Sequence, residues 1–137
     1  MKFSKSSTYG LRAMARLAKY WEVEFISVTE ISLREGISKK YLEQIFTKLK
    51  NANLVESGKG RQGGYRLLQK PEEINVYEIV NVLEGGVSPS NCLAHDGEFI
   101  CEKKDKCGVV SLLAEIQGVT RDILTKTSLR DVERNHK

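Results

Sequence analysis

Apolar residues recur at steps of three and four along residues 4–21, and this pattern predicts a first helix. The residues on its apolar face are Leu11, Met14, Leu17, Ala18 and Trp21. Residues 25–28 then read FISV, a short segment prone to form a strand. The chain is therefore predicted to begin with a helix followed by a short extended piece.

Two further helices are predicted next, with a tight turn containing glycine between them. Thr29 is a candidate N-cap for a short helix that ends at Gly36. Ile31 and Leu33 are the apolar positions of this helix. Ser38 is placed to cap the following helix, in which helical spacing returns. Its apolar residues are Tyr41, Leu42, Ile45, Phe46 and Leu49. This order of elements predicts a helix-turn-helix motif.

A β-hairpin is predicted directly after this motif. The β-prone segments LVES and YRLL occupy residues 54–57 and 65–68, and the glycine-rich stretch GKGRQGG joins them. A helix-turn-helix followed by such a hairpin is a winged helix. We therefore predict a winged helix-turn-helix domain over residues 1–75.

Residues 76–137 are predicted to form a cysteine-containing sensor loop and a dimerisation helix. A short helix over residues 74–84 leads into the loop, and a long helix runs from Val109 to about Lys126. The last ten residues, SLRDVERNHK, look like a polar tail that frays and carries His136. The predicted fold is mainly α with a small β-hairpin.

The long C-terminal helix has an apolar spacing that differs from that of the earlier helices. Its apolar residues alternate steps of three and four, which is the heptad spacing of a coiled-coil seam. These residues are Val109, Leu112, Ile116, Val119 and Ile123; we call them the α5 seam. The seam predicts contact between two subunits, and the alternative is packing of the helix on its own domain.

Charge is spread unevenly along the chain, and this distribution indicates what kind of partner to expect. Residues 1–75 carry 14 Lys and Arg against 8 Asp and Glu, whereas residues 76–137 carry 8 against 10. A basic N-terminal part favours a polyanion such as nucleic acid. No apolar run approaches the roughly 20 residues that span a bilayer, and no apolar signal-peptide segment is visible at the N-terminus. We expect a cytoplasmic protein with no membrane partner. No catalytic triad or carboxylate pair suggests an enzyme.

The predicted second helix of the motif carries the candidate DNA-reading side chains. They are Ser38, Lys39, Lys40, Tyr41, Glu43 and Gln44. Gln44 suits adenine, Glu43 suits cytosine N4, and Ser38 suits either role. Lys39 and Lys40 suit phosphates, which position a protein without specifying sequence. The alternative is that such charged residues simply form a solvated face.

The predicted wing tip adds two cations to this surface. Glycines allow the backbone to approach a groove closely. Lys59 and Arg61 at the tip are suited to a minor groove, where narrow A·T tracts attract cations. The glycines do not match the G-x-x-x-x-G-K-[ST] pattern of a nucleotide-binding loop.

All three cysteines of the chain lie in one segment, residues 92–107, which we call the cysteine loop. Cys92, Cys101 and Cys107 have the spacing C-x8-C-x5-C, without the C-x2-C pair common in zinc sites. Thiolates are soft ligands that suit iron–sulfur clusters and zinc. Cys107 is expected at the start of the last helix, where the helix dipole favours a thiolate.

Several functions of this loop remain open from the residues alone. An iron–sulfur sensor is one, and a metal-free thiol or disulfide switch is a second, because exposed reactive thiols can be oxidised. A structural zinc site and a loop without any ligand are further alternatives. A small iron–sulfur electron carrier is a different class of protein. An electron carrier would have no use for a helix-turn-helix and a wing.

The sequence resembles the Rrf-two family of bacterial winged-helix regulators over essentially its whole length. The resemblance lies in YGLRAMARLA, in ISKKYLEQIFTKLKNANLVESGKG, in GGYRL, in INVYEIVNVLEG and in three cysteines before a final helix. It implies a homodimer that binds a palindromic operator in double-stranded DNA, with the final helices crossing between subunits. It also implies base contacts by Glu43 and Gln44 and a wing contact by Lys59.

For the cysteine loop, the resemblance implies an iron–sulfur cluster that switches DNA binding. Its ligands would be Cys92, Cys101 and Cys107, with [2Fe-2S] favoured over [4Fe-4S]. Cluster-binding members draw a fourth ligand from a histidine three residues after the last cysteine, where this chain has Val110. Some relatives use a carboxylate near the N-terminus of the other subunit, and the matching position here is Thr8. A small molecule or an exogenous thiol is a further way to complete the site. The local candidate here is His95.

Overall fold

The computed structural model describes residues 2–58, 63–94 and 96–137. Its described part has six α-helices, a two-stranded antiparallel sheet and a short 3₁₀ helix at Pro71–Glu73. The elements are α1 (Lys5–Lys19), α2 (Val28–Glu35), α3 (Lys39–Asn51), β1 (Val55–Gly58), β2 (Gly64–Leu67), α4 (Val76–Glu84), α5 (Val110–Lys126) and α6 (Leu129–Asn135). The predicted mainly α fold with a small hairpin is confirmed.

Local capping fixes the helix-turn-helix. The N-cap of α2 is Ser27, whose side chain accepts from the Glu30 N–H, so the prediction of Thr29 was wrong. Either residue type can cap; Ser27 does so because α2 begins earlier, at Val28. The helix ends at Gly36, whose φ of 68° lies in the left-handed region that glycine adopts at little cost. Ser38 caps α3 by accepting from the Tyr41 N–H, as predicted.

The wing packs directly on the helix-turn-helix. Strands β1 and β2 pair with Val55 opposite Leu67, and Ile26 adds a bridge to Tyr65 on the other edge of β2. The Tyr65 ring stacks on Phe46 of α3, with centroids 4.4 Å apart. At Gly64 a Cβ would lie 2.2 Å from the Ile26 carbonyl oxygen, so this close approach requires glycine. The predicted extended segment and hairpin are therefore joined to α3.

One apolar core unites the first four helices with the last. Met14, Phe46, Ile79, Leu83 and Leu129 are buried in the same cluster. A smaller cluster joins α4 to α5 and to the start of the loop; its buried members are Val76, Val80, Val87 and Leu124. The division into residues 1–75 and 76–137 stays a prediction.

The C-terminal residues form α6, where a frayed polar tail was predicted. Ser128 accepts from the Asp131 N–H, and the Asp131 side chain accepts from the Ser128 N–H, so a complete capping box starts the helix. Leu129 is fully buried, and its N–H donates to the Ile74 carbonyl at 2.8 Å. One buried leucine and a good cap therefore anchor a segment whose composition is otherwise polar.

Glu35, the last residue of α2, lies in a buried ion-pair network. Its side chain is 3% exposed. Arg16 donates to Oε2 from Nε and Nη2 at 2.9 and 2.5 Å, and Arg12 Nε donates to Oε1 at 3.2 Å. His136 Nε2 lies 2.9 Å from Oε2. The network ties the helix-turn-helix to α1 and to the residue after α6, so His136 is not in a free tail.

We expect Glu35→Ala to lower the free energy of unfolding by about 3–5 kcal/mol, because it leaves buried arginine charge without its partner. Burial raises the pKa of the Glu35 carboxyl, but hydrogen bonds from His136 and Arg16 outweigh burial, so the net pKa lies below 4.5. The charged form therefore contributes stability above pH 4.5, and this contribution is lost as pH falls through the folded-state pKa.

Urea unfolding at pH 7 and at lower pH measures both effects of Glu35→Ala. The matched control is Glu30→Ala, which removes an exposed pair with Arg34 on the same helix and should cost less than about 1 kcal/mol. Equal losses for the two variants, or an unchanged acid sensitivity in Glu35→Ala, would contradict the role of the network.

Candidate DNA-binding surface and cysteine loop

The start of α3 presents its polar side chains to solvent. Five of the six predicted DNA-reading residues are exposed: Ser38, Lys39, Lys40, Glu43 and Gln44. On the opposite face of α3, Leu42, Ile45, Phe46 and Leu49 are buried. The helix is thus held by one face while the other is open along its length. This is the arrangement that a recognition helix needs to enter a major groove.

Tyr41 differs from the other predicted contacts because it is half-buried. Its ring meets Tyr9 of α1 edge to face, with centroids 5.6 Å apart. Arg12 lies over the other side of this pair, 5.5 Å from the Tyr9 centroid. Part of Tyr41 therefore serves to orient α3 on α1, and its hydroxyl end remains the group suited to a phosphate.

A groove between α1 and α3 contains residues that the sequence prediction omitted. It has a volume of about 390 Å³. Its lining residues are Ser6, Tyr41, Gln44, Ile45, Thr47 and Lys48. Lys48 follows Gln44 by one helical turn, so the i,i+4 spacing could have revealed that it extends the same face. Ser6 comes from α1 and had no sequence signal that would place it beside α3.

The wing tip residues Lys59 and Arg61 lie outside the described residues, so their predicted groove contact stays a prediction. The described base of the wing is fixed to the recognition helix. Lys50 Nζ, near the end of α3, donates to Ser57 Oγ of β1 at 2.9 Å. Together with the stacked pair of Phe46 and Tyr65, this contact gives the wing and α3 a defined relative position.

The cysteine loop folds back on itself near two of its three cysteines. Leu93 forms an antiparallel bridge with Phe99, and the Ile100 N–H donates to the Cys92 carbonyl at 3.0 Å. Cys101 follows Ile100, so it lies one position out of register with Cys92 in this short antiparallel pair. Both cysteines are half-buried and neither is in a disulfide.

The third cysteine is less constrained. Cys107 is exposed and unbridged. It lies three residues before the first residue of α5, Val110, so the prediction that it starts this helix was wrong. The residues after it, Gly108 and Val109, still form a turn, with the Cys107 carbonyl accepting from the Val110 N–H at 3.3 Å. Cys107 is therefore outside the first turn of α5, where dipole effects are strongest.

The cysteine thiols fit soft-metal ligation in their chemistry but are not gathered into a finished site. Within residues 2–58, 63–94 and 96–137, no three His, Cys, Asp or Glu side chains are grouped as metal ligands. His95, the predicted local fourth ligand, lies outside the described residues. Binding of a cluster by Cys92, Cys101 and Cys107 would require the loop to bring all three thiols together.

The N-terminus of α1, where Thr8 lies, is tied to the end of α4. Glu84 Oε1 accepts from the Ser4 N–H at 2.7 Å, from Ser4 Oγ at 2.8 Å and from Ser7 Oγ at 2.5 Å. Burial raises the pKa of the Glu84 carboxyl, but the hydrogen bonds from Ser7 and Ser4 give a net lowering. A carboxylate thus anchors α1 directly before Gly85, where the chain leaves α4 for the cysteine loop.

Helix α5 has two distinct sides. Gln117 and Leu124 are buried against the same chain. Four residues of the α5 seam are more than half exposed: Val109 at 51%, Leu112 at 56%, Val119 at 54% and Ile123 at 61%. One side of the helix therefore packs on its own domain, while the seam is uncovered in the single chain and its contact with a second subunit stays a prediction.

An open recognition helix fixed to a β-hairpin wing defines a winged-helix DNA-binding protein. The sequence profile of the Rrf2 family, described as "Iron-dependent Transcriptional regulator", matches residues 3–135. The chain belongs to this family of DNA-binding transcriptional regulators. No helix within the described ranges is both long enough and apolar enough to span a bilayer.

Individual relatives support this family assignment, and they carry the names of two different regulators, IscR and CymR. The regulator IscR of Aliivibrio salmonicida is 33% identical over 96% of this chain and 77% of its own. The solved structure of CymR, "the Global Cysteine Regulator of B. subtilis", matches with a TM-score of 0.82 and 32% identity, covering 100% of this chain and 99% of that one. The structure of T. potens IscR matches with a TM-score of 0.76 and 30% identity, covering 98% and 88%.

Proposed function

We propose that this protein is a cytoplasmic homodimeric regulator whose operator binding is controlled by an iron–sulfur cluster on Cys92, Cys101 and Cys107. The observation that carries the proposal is the gathering of all three unbridged thiols in one loop between α4 and α5. That loop joins the helix-turn-helix core to the helix with the uncovered seam. A change in its shape can therefore alter how two DNA-binding units are placed.

Each part of the chain has a role in this proposal. Residues 1–75 bind double-stranded DNA, with α3 in the major groove and the wing along the backbone or minor groove. The α5 seam pairs two subunits, so the operator is a palindrome with one half-site for each α3. When bound, a cluster supplies metal–thiolate bonds that cross-link the loop, and [2Fe-2S] is the favoured form by family resemblance.

Control of DNA binding requires two states of the dimer that bind operator differently. The loop residues can favour one state if thiolate ligation is stronger in that state than in the other. The hydrogen bond from the Ile100 N–H to the Cys92 carbonyl supports this, because it already links the backbone at Cys92 to the segment that carries Cys101. Drawing Cys107 toward them would displace the turn before Val110 and with it the start of α5.

A metal-free thiol switch is the second candidate function. The presence of three unbridged cysteines in one loop favours it, because accessible reactive thiols can be oxidised. Such a switch would respond to oxidants with no iron or sulfide bound, so analysis of iron and acid-labile sulfide separates the two candidates.

The DNA-binding part of the proposal is tested by Gln44→Ala. Gln44 is exposed on α3 and is suited to read adenine, so the variant should lose discrimination at one base-pair position in each half-site. The expected loss is about 1–3 kcal/mol at that position, with the other positions unchanged. Binding-site selection from a randomised duplex pool, performed for both proteins, measures the effect position by position.

Lys40→Ala is the matched contrast on the same helix. A phosphate contact carries no sequence information, so this variant should weaken binding to all sequences alike and reduce the salt dependence by about one charge. The groove assignment fails if Gln44→Ala selects the same site as the wild type with the same stringency.

A further inference from the structure

We propose that Gln117 is the positioning residue through which the state of the cysteine loop reaches α5; this rests on the proposed function. Gln117 is 5% exposed and is one of two buried residues in α5, the other being Leu124. A polar amide in the interior of a helix interface carries a desolvation cost unless its hydrogen bonds are made. The contacts of the Gln117 side chain show which backbone segments it joins.

The Gln117 amide joins the segment around Cys92 to α5. Its Nε2 donates to the Val87 carbonyl at 3.0 Å and to the Ala94 carbonyl at 2.9 Å. Both acceptors are carbonyl oxygens, so the amide nitrogen and not its oxygen must face them. Both N–H groups of the side chain are thereby used, and they join two backbone positions seven residues apart.

The two acceptor residues lie on either side of Cys92. Within this span, Ser88 Oγ lies 2.8 Å from the Leu93 carbonyl, and the Cys92 N–H donates to Ser90 Oγ at 3.2 Å. The segment is therefore an ordered turn with Cys92 near one end. Cys101 is linked to Cys92 through the hydrogen bond from the Ile100 N–H to the Cys92 carbonyl. Movement of either cysteine would therefore displace the Ala94 carbonyl, and the Gln117 amide would have to follow or lose a hydrogen bond.

On the helix side, Gln117 directly follows the seam residue Ile116. Leu124, two turns later on the same side, packs in the small core with Val80 and Val87. Leu124 therefore holds one end of α5, and Gln117 holds the part nearer the cysteines. A shift at Gln117 rotates or tilts the seam relative to α4, which packs on the DNA-binding core. This gives the loop a direct physical connection to the spacing of the two recognition helices.

The test compares Gln117→Leu, which keeps the side-chain size without the donors, with Gln117→Asn, which is too short to reach both carbonyls. Gln69→Leu makes the same chemical change at an exposed position far from the loop. In the metal-free, reduced protein, we expect Cys92 and Cys101 to react with a neutral alkylating agent about ten- to a hundredfold faster in Gln117→Leu. Gln117→Asn should be intermediate and Gln69→Leu unchanged.

The second readout is operator affinity of the same proteins with and without bound cluster. The ratio of the two affinities should fall toward one in Gln117→Leu while sedimentation still shows a dimer. Unchanged alkylation rates would overturn the inference, and so would faster alkylation with an unchanged affinity ratio. A wild-type protein without any cluster response would refute the proposed function alone, because the alkylation rates still decide whether Gln117 holds the loop.

Discussion

Replacing Cys101 with alanine should abolish cofactor binding while leaving a folded dimer that binds DNA. Cys101 is one of the three proposed ligands, so its loss leaves only Cys92 and Cys107 to hold a cluster. Wild-type protein purified without oxygen should show visible charge-transfer bands, with iron and acid-labile sulfide in equal amounts. The variant should be colourless, and its operator affinity should no longer change under treatments that remove the cluster.

The matched control for this variant is Lys104→Ala. Lys104 is exposed in the same loop, three residues from Cys101, and cannot supply a thiolate. It should retain both the visible bands and the operator response. Retention of a full iron and sulfide content by Cys101→Ala would show that the ligand assignment is wrong. A colourless wild-type protein that still responds to oxidants would favour the thiol switch.

Introducing a charge into the α5 seam should separate the subunits and nearly abolish operator binding. Val119 is 54% exposed in the single chain and is predicted to be covered by the partner helix. Val119→Asp would place two carboxylates in an apolar interface, where an unpaired charge is strongly unfavourable. Because two linked half-sites bind far more tightly than one, operator affinity should fall by about a hundredfold or more.

Thr125→Asp adds the same charge to the same helix away from the seam. At 3.6 residues per turn, position 125 lies roughly 150° around the helix from the centre of the seam. This variant should remain dimeric by sedimentation and keep its operator affinity. The dimer assignment fails if Val119→Asp sediments as a dimer, or if both variants lose DNA binding to the same extent.

The DNA-binding half was predictable because local signals and tertiary packing agree there. Helical spacing in α1 and α3, the glycine at position 36 and the cap at Ser38 each predicted the element that forms. Leu33 is an exception, since it looked like an apolar face residue yet is 81% exposed on α2. A helix of eight residues needs few core contacts, and Ile31 alone is its buried apolar residue.

The C-terminal half was harder because its decisive contacts join residues far apart in sequence. His136 looked like part of a solvated tail, and its contact with Glu35 depends on how α6 folds back on α1. The capping box of Ser128 and Asp131 was the available local signal for that helix. No pattern in the sequence singled out Gln117, because spacing alone does not distinguish a buried amide from an exposed one.

The most direct test of the central claim is a titration of one operator duplex with a single protein preparation in two states. The duplex is the palindrome that the wild-type protein selects from a randomised pool, and fluorescence anisotropy without oxygen reports its binding. We predict that the cluster-containing and cluster-free dimers differ in affinity by about five- to 150-fold, the usual range of coupling between two sites. Equal affinities for the two states would contradict control of DNA binding by the cysteine loop.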